Sequence, residues 1–151
     1  MNVLNPHYRE KLFQAINSSQ FPSHLRMRIV DIDHKTSTFT MPAEPFRMQP
    51  FGVMHGGNIA TLIDSATFWA CFLAMGNDED GLTSVDLKLN YLAAARNEAI
   101  QCKATMKKAG KTLFYADAEV ETEDGRLIAH GSSTLMRIPG AGLKLGIPMF
   151  V

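Results

Sequence analysis

The chain has 151 residues, 46% of them hydrophobic, and its 15 Lys and Arg residues balance 15 Asp and Glu residues. This length and composition predict one domain with its own core over residues 1–151, and the balanced charge argues against nucleic acid or an acidic membrane as a partner. The N-terminal segment lacks the basic-then-apolar order of a signal peptide, and the longest apolar run, residues 68–75, is shorter than the roughly 20 residues of a membrane span. We therefore expect a soluble, cytoplasmic protein.

The first third of the chain predicts a helix, two strands and a long loop. Within an N-terminal helical segment, residues 1–20, apolar residues at helical spacing predict a helix over residues 6–18. Short strands are predicted over residues 25–33 and 35–41. Residues 42–53 contain three prolines, so we expect a loop there.

A glycine pair at the start of an apolar helix is the most informative feature of the sequence. Residues 55–57 are His-Gly-Gly, and residues 57–75 carry no charge except Asp64. A helix that is apolar nearly all round is expected to be buried, and the Gly-Asn pair at residues 76–77 ends it. A carboxylate on a buried helix needs a hydrogen-bond partner or a chemical role.

The rest of the chain alternates apolar and polar residues, which is typical of strands with one face on a core. Tight turns are expected at residues 109–110 and 124–125. The predicted strands form an antiparallel meander that wraps the helix, and they cover residues 83–92, 100–107, 114–121 and 127–138. The glycine-rich tail, residues 139–151, is predicted to be irregular, and its apolar end could dock on a neighbour.

The two cysteines, Cys71 and Cys102, have neither a CxxC spacing nor a histidine placed as a metal partner. We interpret both as core thiols, and we expect no metal site.

Three segments together resemble the hotdog-fold acyl-CoA thioesterases, in the branch similar to the phenylacetate-pathway enzyme (PaaI-like). They are His55-Gly56-Gly57 with Asp64 nine positions after the histidine, the strand at residues 83–92, and Gly110-Lys111 in the hairpin that follows. The resemblance covers about residues 46–138. It implies an α+β hotdog fold with a five- to six-stranded antiparallel sheet around one long central helix. It also implies homodimers, often paired into tetramers, and hydrolysis of an acyl-CoA thioester without a metal or other cofactor.

Helix geometry gives a separate reason to expect a dimer. At about 100° and 1.5 Å per residue, Asp64 lies about half a turn round from His55 and ~13 Å along the helix. One chain cannot easily aim both residues at one carbonyl group. Two antiparallel helices related by a two-fold axis could bring the Gly56 end of one against Asp64 of the other.

These features suggest a mechanism. The backbone N–H of Gly56 or Gly57 at the helix N-terminus would polarise the thioester carbonyl and hold the oxyanion. Asp64 of the other subunit would act as general base on water, or attack directly to give an anhydride. Ser65 or Ser84 could donate a hydrogen bond to Asp64 and orient it.

The resemblance implies further site residues. Ser84 matches the position where many family members carry a Ser or Thr that orients the attacking water, and Thr83 is the adjacent candidate. Gln49 stands six positions before His55, where relatives often have Asn.

Several candidate residues also have a plain structural interpretation. His55 fits a direct catalytic role or a role in fixing the loop. Phe68 belongs to a helical aromatic patch with Trp69 and Phe72, which fits core packing or an acyl pocket. Three cations of one hairpin fit a solvated turn or a contact with the phosphates of coenzyme A; they are Lys107, Lys108 and Lys111.

Two other functions stay open at the level of the sequence. One is a hotdog hydratase or dehydratase that acts on enoyl thioesters, although the spacing of Asp64 from the His-Gly-Gly motif argues against it. The other is a non-catalytic module that binds acyl-CoA.

Overall fold

Six antiparallel strands form one sheet that curves around a single long helix. The computed structural model describes residues 3–151. The strands are β1 (Arg28–Asp33), β2 (Thr36–Met41), β3 (Gly81–Tyr91), β4 (Ile100–Ala109), β5 (Leu113–Thr122) and β6 (Leu127–Ile138). The helices are α1 (Pro6–Ser18), α2 (Gln20–His24) and α3 (Gly56–Phe72), with short 3-10 turns at Pro45–Arg47 and Leu73–Met75. The expected α+β class and six-stranded hotdog arrangement are confirmed.

The strand order is β1-β2-β4-β5-β6-β3, and every neighbouring pair is antiparallel. Strands β4, β5 and β6 form the expected meander. The expectation that β3 also belongs to it is wrong, because β3 pairs with β6 at the far edge and the chain then crosses to β4. This crossover leaves β3, an 11-residue strand, as a sheet edge.

Helix α3 lies in the curve of the sheet and contacts all six strands. Six of its residues are completely buried: Leu62, Ile63, Ala66, Thr67, Ala70 and Cys71. With its 3-10 extension, the segment Gly56–Met75 is long and apolar enough to cross a membrane, but more than half of it is buried inside the fold, as in the core helix of a globular domain. As predicted, the helical segment ends at a glycine in the left-handed conformation, Gly76 with φ 75°.

The start of the chain differs from the predicted elements. Helix α2 occupies residues 20–24, and β1 therefore begins at Arg28, three residues later than predicted. Between them Arg26 has a positive φ of 51°, which turns the chain into the strand. The sequence carries no apolar periodicity over so short a helix, so this element was not predicted.

The C-terminal tail docks on the N-terminus of its own chain. Val3 and Val151 exchange two backbone hydrogen bonds of 3.0 and 2.9 Å, and the N–H of Asn5 donates to the carbonyl of Met149 at 3.0 Å. Met149 is buried, and the Phe150 ring stacks on His34 with centroids 5.0 Å apart. The tail is irregular as predicted, but the surface that its end covers belongs to the same chain.

Both cysteines are core thiols, as predicted. Cys71 and Cys102 are each 0% exposed. Burial raises the pKa of the Cys71 thiol to about 12 and raises the pKa of Cys102 still further.

Candidate active site

His55 caps the N-terminus of α3. Its Nδ1 accepts a hydrogen bond from the backbone N–H of Gly57 at 2.9 Å, which satisfies one of the donors that the first turn of a helix leaves unpaired. Since Nδ1 acts as an acceptor, the ring proton of neutral His55 lies on Nε2. The cap assigns His55 a structural role and leaves its Nε2–H facing outward on an exposed side chain.

The cap also separates the two glycines. The N–H of Gly57 is used by His55, whereas within residues 3–151 no acceptor takes the N–H of Gly56, the first residue of α3. A free N–H at a helix start lies at the positive end of the helix dipole. Of the two candidate oxyanion donors, only Gly56 is available.

Arg47 holds the loop that precedes the helix, and no sequence pattern marks it as a site residue. Its backbone carbonyl accepts the N–H of His55 at 2.8 Å and the side-chain amide of Asn58 at 3.2 Å. Its guanidinium is 1% exposed and donates to the carbonyls of Leu25 and Pro42. Burial lowers the pKa of Arg47 from its usual value. The side chain therefore ties the helix start to the N-terminal part of the chain.

Tyr91 covers Gly56 and is a second site residue that the sequence analysis missed. Its hydroxyl donates to the carbonyl of Gly56 at 3.3 Å. A Cβ atom at position 56 would lie 3.2 Å from the Tyr91 ring, so this close approach suits glycine. Both residues line a cavity of about 390 Å³ beside the helix start. The only sequence signal was the position of Tyr91 at the end of a strand that also carries Leu82, Leu87 and Leu89, which pack in or against the core.

Ser84 and Asp64 meet where β3 passes the middle of α3. Ser84 Oγ donates to Asp64 Oδ1 at 2.8 Å. The pairing of β3 with β6 contains a bulge between Ser84 and Asp86, so that Ser84 lies opposite the buried Leu135 and Val85 is the extra residue. The bulge places Ser84 on the helix-facing side of the sheet.

The N–H of Gly56 and the carboxylate of Asp64 are far apart within one chain. Eight residues separate Gly56 from Asp64, which corresponds to ~12 Å along the helix axis. Asp64 is partly buried and is the only charged residue of α3. A single protomer therefore presents a free oxyanion donor and an oriented carboxylate at two different places.

The structure does not add the remaining polar candidates to the Asp64–Ser84 pair. Gln49 accepts the N–H of Phe51 through its side-chain oxygen and so closes its own turn. Ser65 lies beside Asp64 on α3, but the hydrogen bond to the carboxylate comes from Ser84. Thr83 is exposed on the opposite face of β3.

The aromatic patch follows Asp64 on α3. Phe72 is buried, whereas Phe68 and Trp69 are half-buried, and all three line a cavity of about 330 Å³. The rings of Phe68 and Trp69, and those of Trp69 and Phe72, meet edge to face with centroids 5.0 Å apart. The patch thus contributes both to the core and to a cavity wall.

The three hairpin lysines lie at the end of the sheet near Thr83. Lys107 forms an ion pair of 3.5 Å with Asp117, while Lys108 and Lys111 are exposed. The strand that carries Lys108 is three strand spacings from β3, or ~14 Å. In the part of the chain that the structure describes, no group of three or more His, Cys, Asp or Glu side chains could hold a metal ion.

Known proteins share both the sequence pattern and the architecture. Residues 51–129, which include α3, the Asp64–Ser84 pair and Tyr91, match the family model of the thioesterase superfamily. Acyl-coenzyme A thioesterase 13 of Mus musculus is 34% identical over 96 residues, covering 62% of this chain and 67% of the mouse protein.

Two solved structures superpose on almost the whole chain. Thioesterase HI1161 of Haemophilus influenzae aligns with a TM-score of 0.82 and 26% identity, covering 97% of this chain and all of that one. The PaaI protein of the phenylacetic acid degradation operon of E. coli shares the fold, with a TM-score of 0.80 and 17% identity over 91% of this chain and 97% of its own. The expected resemblance is confirmed, and the family model matches half of this chain. The chain therefore belongs to the thioesterase superfamily.

Proposed function

We propose that the protein is an acyl-CoA thioesterase whose active site is completed by two chains. Two features of α3 support this most directly. Asp64 accepts a hydrogen bond of 2.8 Å from Ser84, and the N–H of Gly56, at the start of the same helix, is free. The first group can activate a nucleophile and the second can stabilise an oxyanion, which are the two requirements for hydrolysis of a thioester. The similarity to mouse acyl-coenzyme A thioesterase 13 supports coenzyme A as the leaving group.

A two-fold dimer through β3 would bring these groups together. Strand β3 is a long sheet edge with unpaired backbone groups, and such edges readily pair with another chain. Three large apolar side chains on and directly after it are exposed in the single chain: Val85 by 52%, Tyr91 by 55% and Leu92 by 52%. Antiparallel pairing of two β3 strands would cover them and would set the Gly56 end of one α3 against Asp64 of the other.

The chemistry needs only water as the second reactant. Asp64 accepts a proton from a water molecule as the water oxygen attacks the thioester carbonyl, and Ser84 keeps the carboxylate aimed. The N–H of Gly56 from the partner chain binds the oxyanion of the tetrahedral intermediate. The intermediate collapses, the C–S bond breaks, and the proton held by Asp64 passes to the leaving thiolate, which gives a carboxylic acid and coenzyme A. Direct attack by Asp64 would instead give an anhydride that water then opens.

Lys108 and Lys111 are the cations available for the phosphates of coenzyme A. Both are exposed at the end of the sheet that carries Ser84, while Lys107 already pairs with Asp117. A lysine can bind phosphate as a point charge across solvent. Their contribution is expected in KM and in the salt dependence of binding rather than in kcat.

Replacement of Asp64 by Asn tests the proposal. Thiol release from a panel of acyl-CoA substrates should fall by at least about a hundredfold, because the amide cannot accept the proton. Asp86→Asn is the matched control, since this exposed carboxylate lies on β3 just beyond the bulge, on the outer face of the sheet. Unchanged thiol release in the Asp64 variant would reject the mechanism. Loss of enoyl absorbance without thiol release would indicate a hydratase, and tight binding without turnover would indicate a binding module.

A further inference from the structure

We infer that the cavity behind Asp64 binds the acyl group and that the N-terminal helix and C-terminal tail, which close its far end, set the length of acyl group that fits. This inference rests on the proposed thioesterase function. The end wall consists of segments that lie outside residues 51–129, the range matched by the family model. It is formed by Ala15 and Ile16 of α1, Pro22 of α2, and Ala141 and Leu143 of the tail.

Both side walls of the cavity lead away from the Asp64–Ser84 pair. On α3, Phe68 and Phe72 follow Asp64 at four and eight residues and so lie on the same helix face. On β3, Leu82 precedes Ser84 by two residues and lies on the same sheet face. An acyl group whose carbonyl is held at Asp64 can therefore extend directly between the two elements.

The volume and lining of the cavity define the kind of group that it can take. The cavity measures about 330 Å³, roughly twice the ~150 Å³ of an apolar cavity that holds benzene. Its far end lies ~12 Å from Asp64, since Phe72 is eight residues further along the helix. No Asp, Glu, Lys or Arg residue lines it. These properties suit one aromatic ring with a short linker, or an alkyl chain of medium length.

The tail is fixed in place as a rigid wall. The N–H of Gly142 donates to the carbonyl of Glu79 at 2.8 Å, and the N–H of Gly140 donates to the carboxylate of Asp80 at 3.1 Å. A Cβ atom on Gly142 would lie 2.0 Å from the carbonyl oxygen of Asp78, so only glycine permits this approach. The close approach holds Leu143, the next residue, at the cavity.

Occupancy of the cavity can be measured without catalysis. Trp69 is the only tryptophan of the chain and lines the cavity, so its fluorescence reports what enters. In the Asp64→Asn protein, hexanoyl-CoA and benzoyl-CoA should change this fluorescence, and coenzyme A alone should not. Equal responses to coenzyme A and to both acyl-CoAs, or no response to any of them, would overturn the inference.

Acyl-chain selectivity tests the end wall. Ala15→Phe should lower kcat/KM for hexanoyl-CoA and benzoyl-CoA relative to acetyl-CoA by about tenfold or more, because the new ring occupies the space of the acyl group. Leu143→Ala should raise kcat/KM for dodecanoyl-CoA relative to hexanoyl-CoA by about tenfold. Gln14→Phe and Leu145→Ala are the controls, since they introduce a Phe and truncate a Leu at residues near the wall that do not line the cavity, and both should leave the ratios within about twofold.

Ala15→Phe should shift selectivity toward shorter acyl groups and Leu143→Ala toward longer ones, so misfolding of one variant does not decide the result. If the wild-type enzyme turns over acyl-CoA and neither ratio moves, the inference is wrong while the proposed function stands. If no acyl-CoA is hydrolysed but acyl-dependent fluorescence persists and Ala15→Phe removes it, the cavity binds the acyl group and the proposed hydrolysis is wrong.

Discussion

Ser84 Oγ donates to Asp64 Oδ1 at 2.8 Å because a β-bulge interrupts β3 one residue after Ser84. In a regular strand Ser84 would share a face with Asp86 and point away from the helix. The bulge inserts Val85 and turns the hydroxyl inward, where it meets the only carboxylate of α3. The orientation of the proposed catalytic group thus depends on a backbone irregularity in the sheet.

Ser84→Ala should lower kcat by about tenfold, since a hydrogen bond of about 0.5–1.5 kcal/mol that aims Asp64 is lost. The free energy of unfolding should change little, because Ser84 is exposed in the chain. Ser84→Thr retains the hydroxyl and suits a strand, so its kcat should stay within a few-fold of the wild type. Steady-state thiol release with both variants checks this expectation. Equal kcat values for the Ala and Thr variants would contradict a positioning role for the hydroxyl.

His55→Ala should lower the free energy of unfolding by about 1 kcal/mol, the usual cost of losing a helix N-cap. His55→Asn supplies another capping oxygen, so the Asn variant should recover most of that stability and most of the activity. Urea unfolding and thiol release should be measured on the same samples. A stable Asn variant without activity would show that the outward Nε2–H of His55 contacts the substrate.

Gly56→Pro should lower kcat by about 10²–10³, the usual effect of deleting one oxyanion donor. Proline is favoured at the first residue of a helix, and His55 already has the extended ψ of 129° that proline requires before it. Gly56→Ala is the matched control, because it meets the same Tyr91 ring but keeps the N–H. Comparable kcat values for the two variants would exclude the Gly56 N–H as the donor.

Cys71 and Cys102 should resist thiol reagents in the folded protein. A pKa of about 12 for Cys71 leaves only about one thiolate in 10⁴ at pH 8, and the thiolate is the reactive form. Cys102 is equally inaccessible and its pKa is raised further. Mass spectrometry after alkylation should show no modification in buffer and two modified residues in urea. Rapid modification of the native protein would contradict the burial of these residues.

Much of the fold could be predicted from the sequence because the signals are local. The all-apolar helix with one carboxylate and the alternation in β4 to β6 each follow from periodicity, and the predicted limits of β6 agree with the structure. The order of strands was less accessible, since the pairing of β3 with β6 depends on contacts between residues far apart in the chain. Docking of the tail on the N-terminus depends on such contacts as well.

The site was predicted in its residue types but not in its geometry. Asp64, Ser84 and the two glycines were candidates, yet alternation alone puts Ser84 on the wrong face and cannot distinguish the N–H groups of Gly56 and Gly57. The bulge and the His55 cap decide these points, and both are details of backbone hydrogen bonding. Tyr91 was missed because an apolar ring on a core-facing strand position carries no separate signal.

Complementation between two inactive variants tests the shared site most directly. Asp64→Asn and Gly56→Pro each disable both sites of a homodimer, but their heterodimer keeps one intact pair of Gly56 and Asp64. When the two chains are unfolded together in equal amounts and refolded, half of the dimers should be heterodimers. Thiol release should then rise to about a quarter of the wild-type rate. A mixture that stays as inactive as its two components would contradict an active site built from two chains.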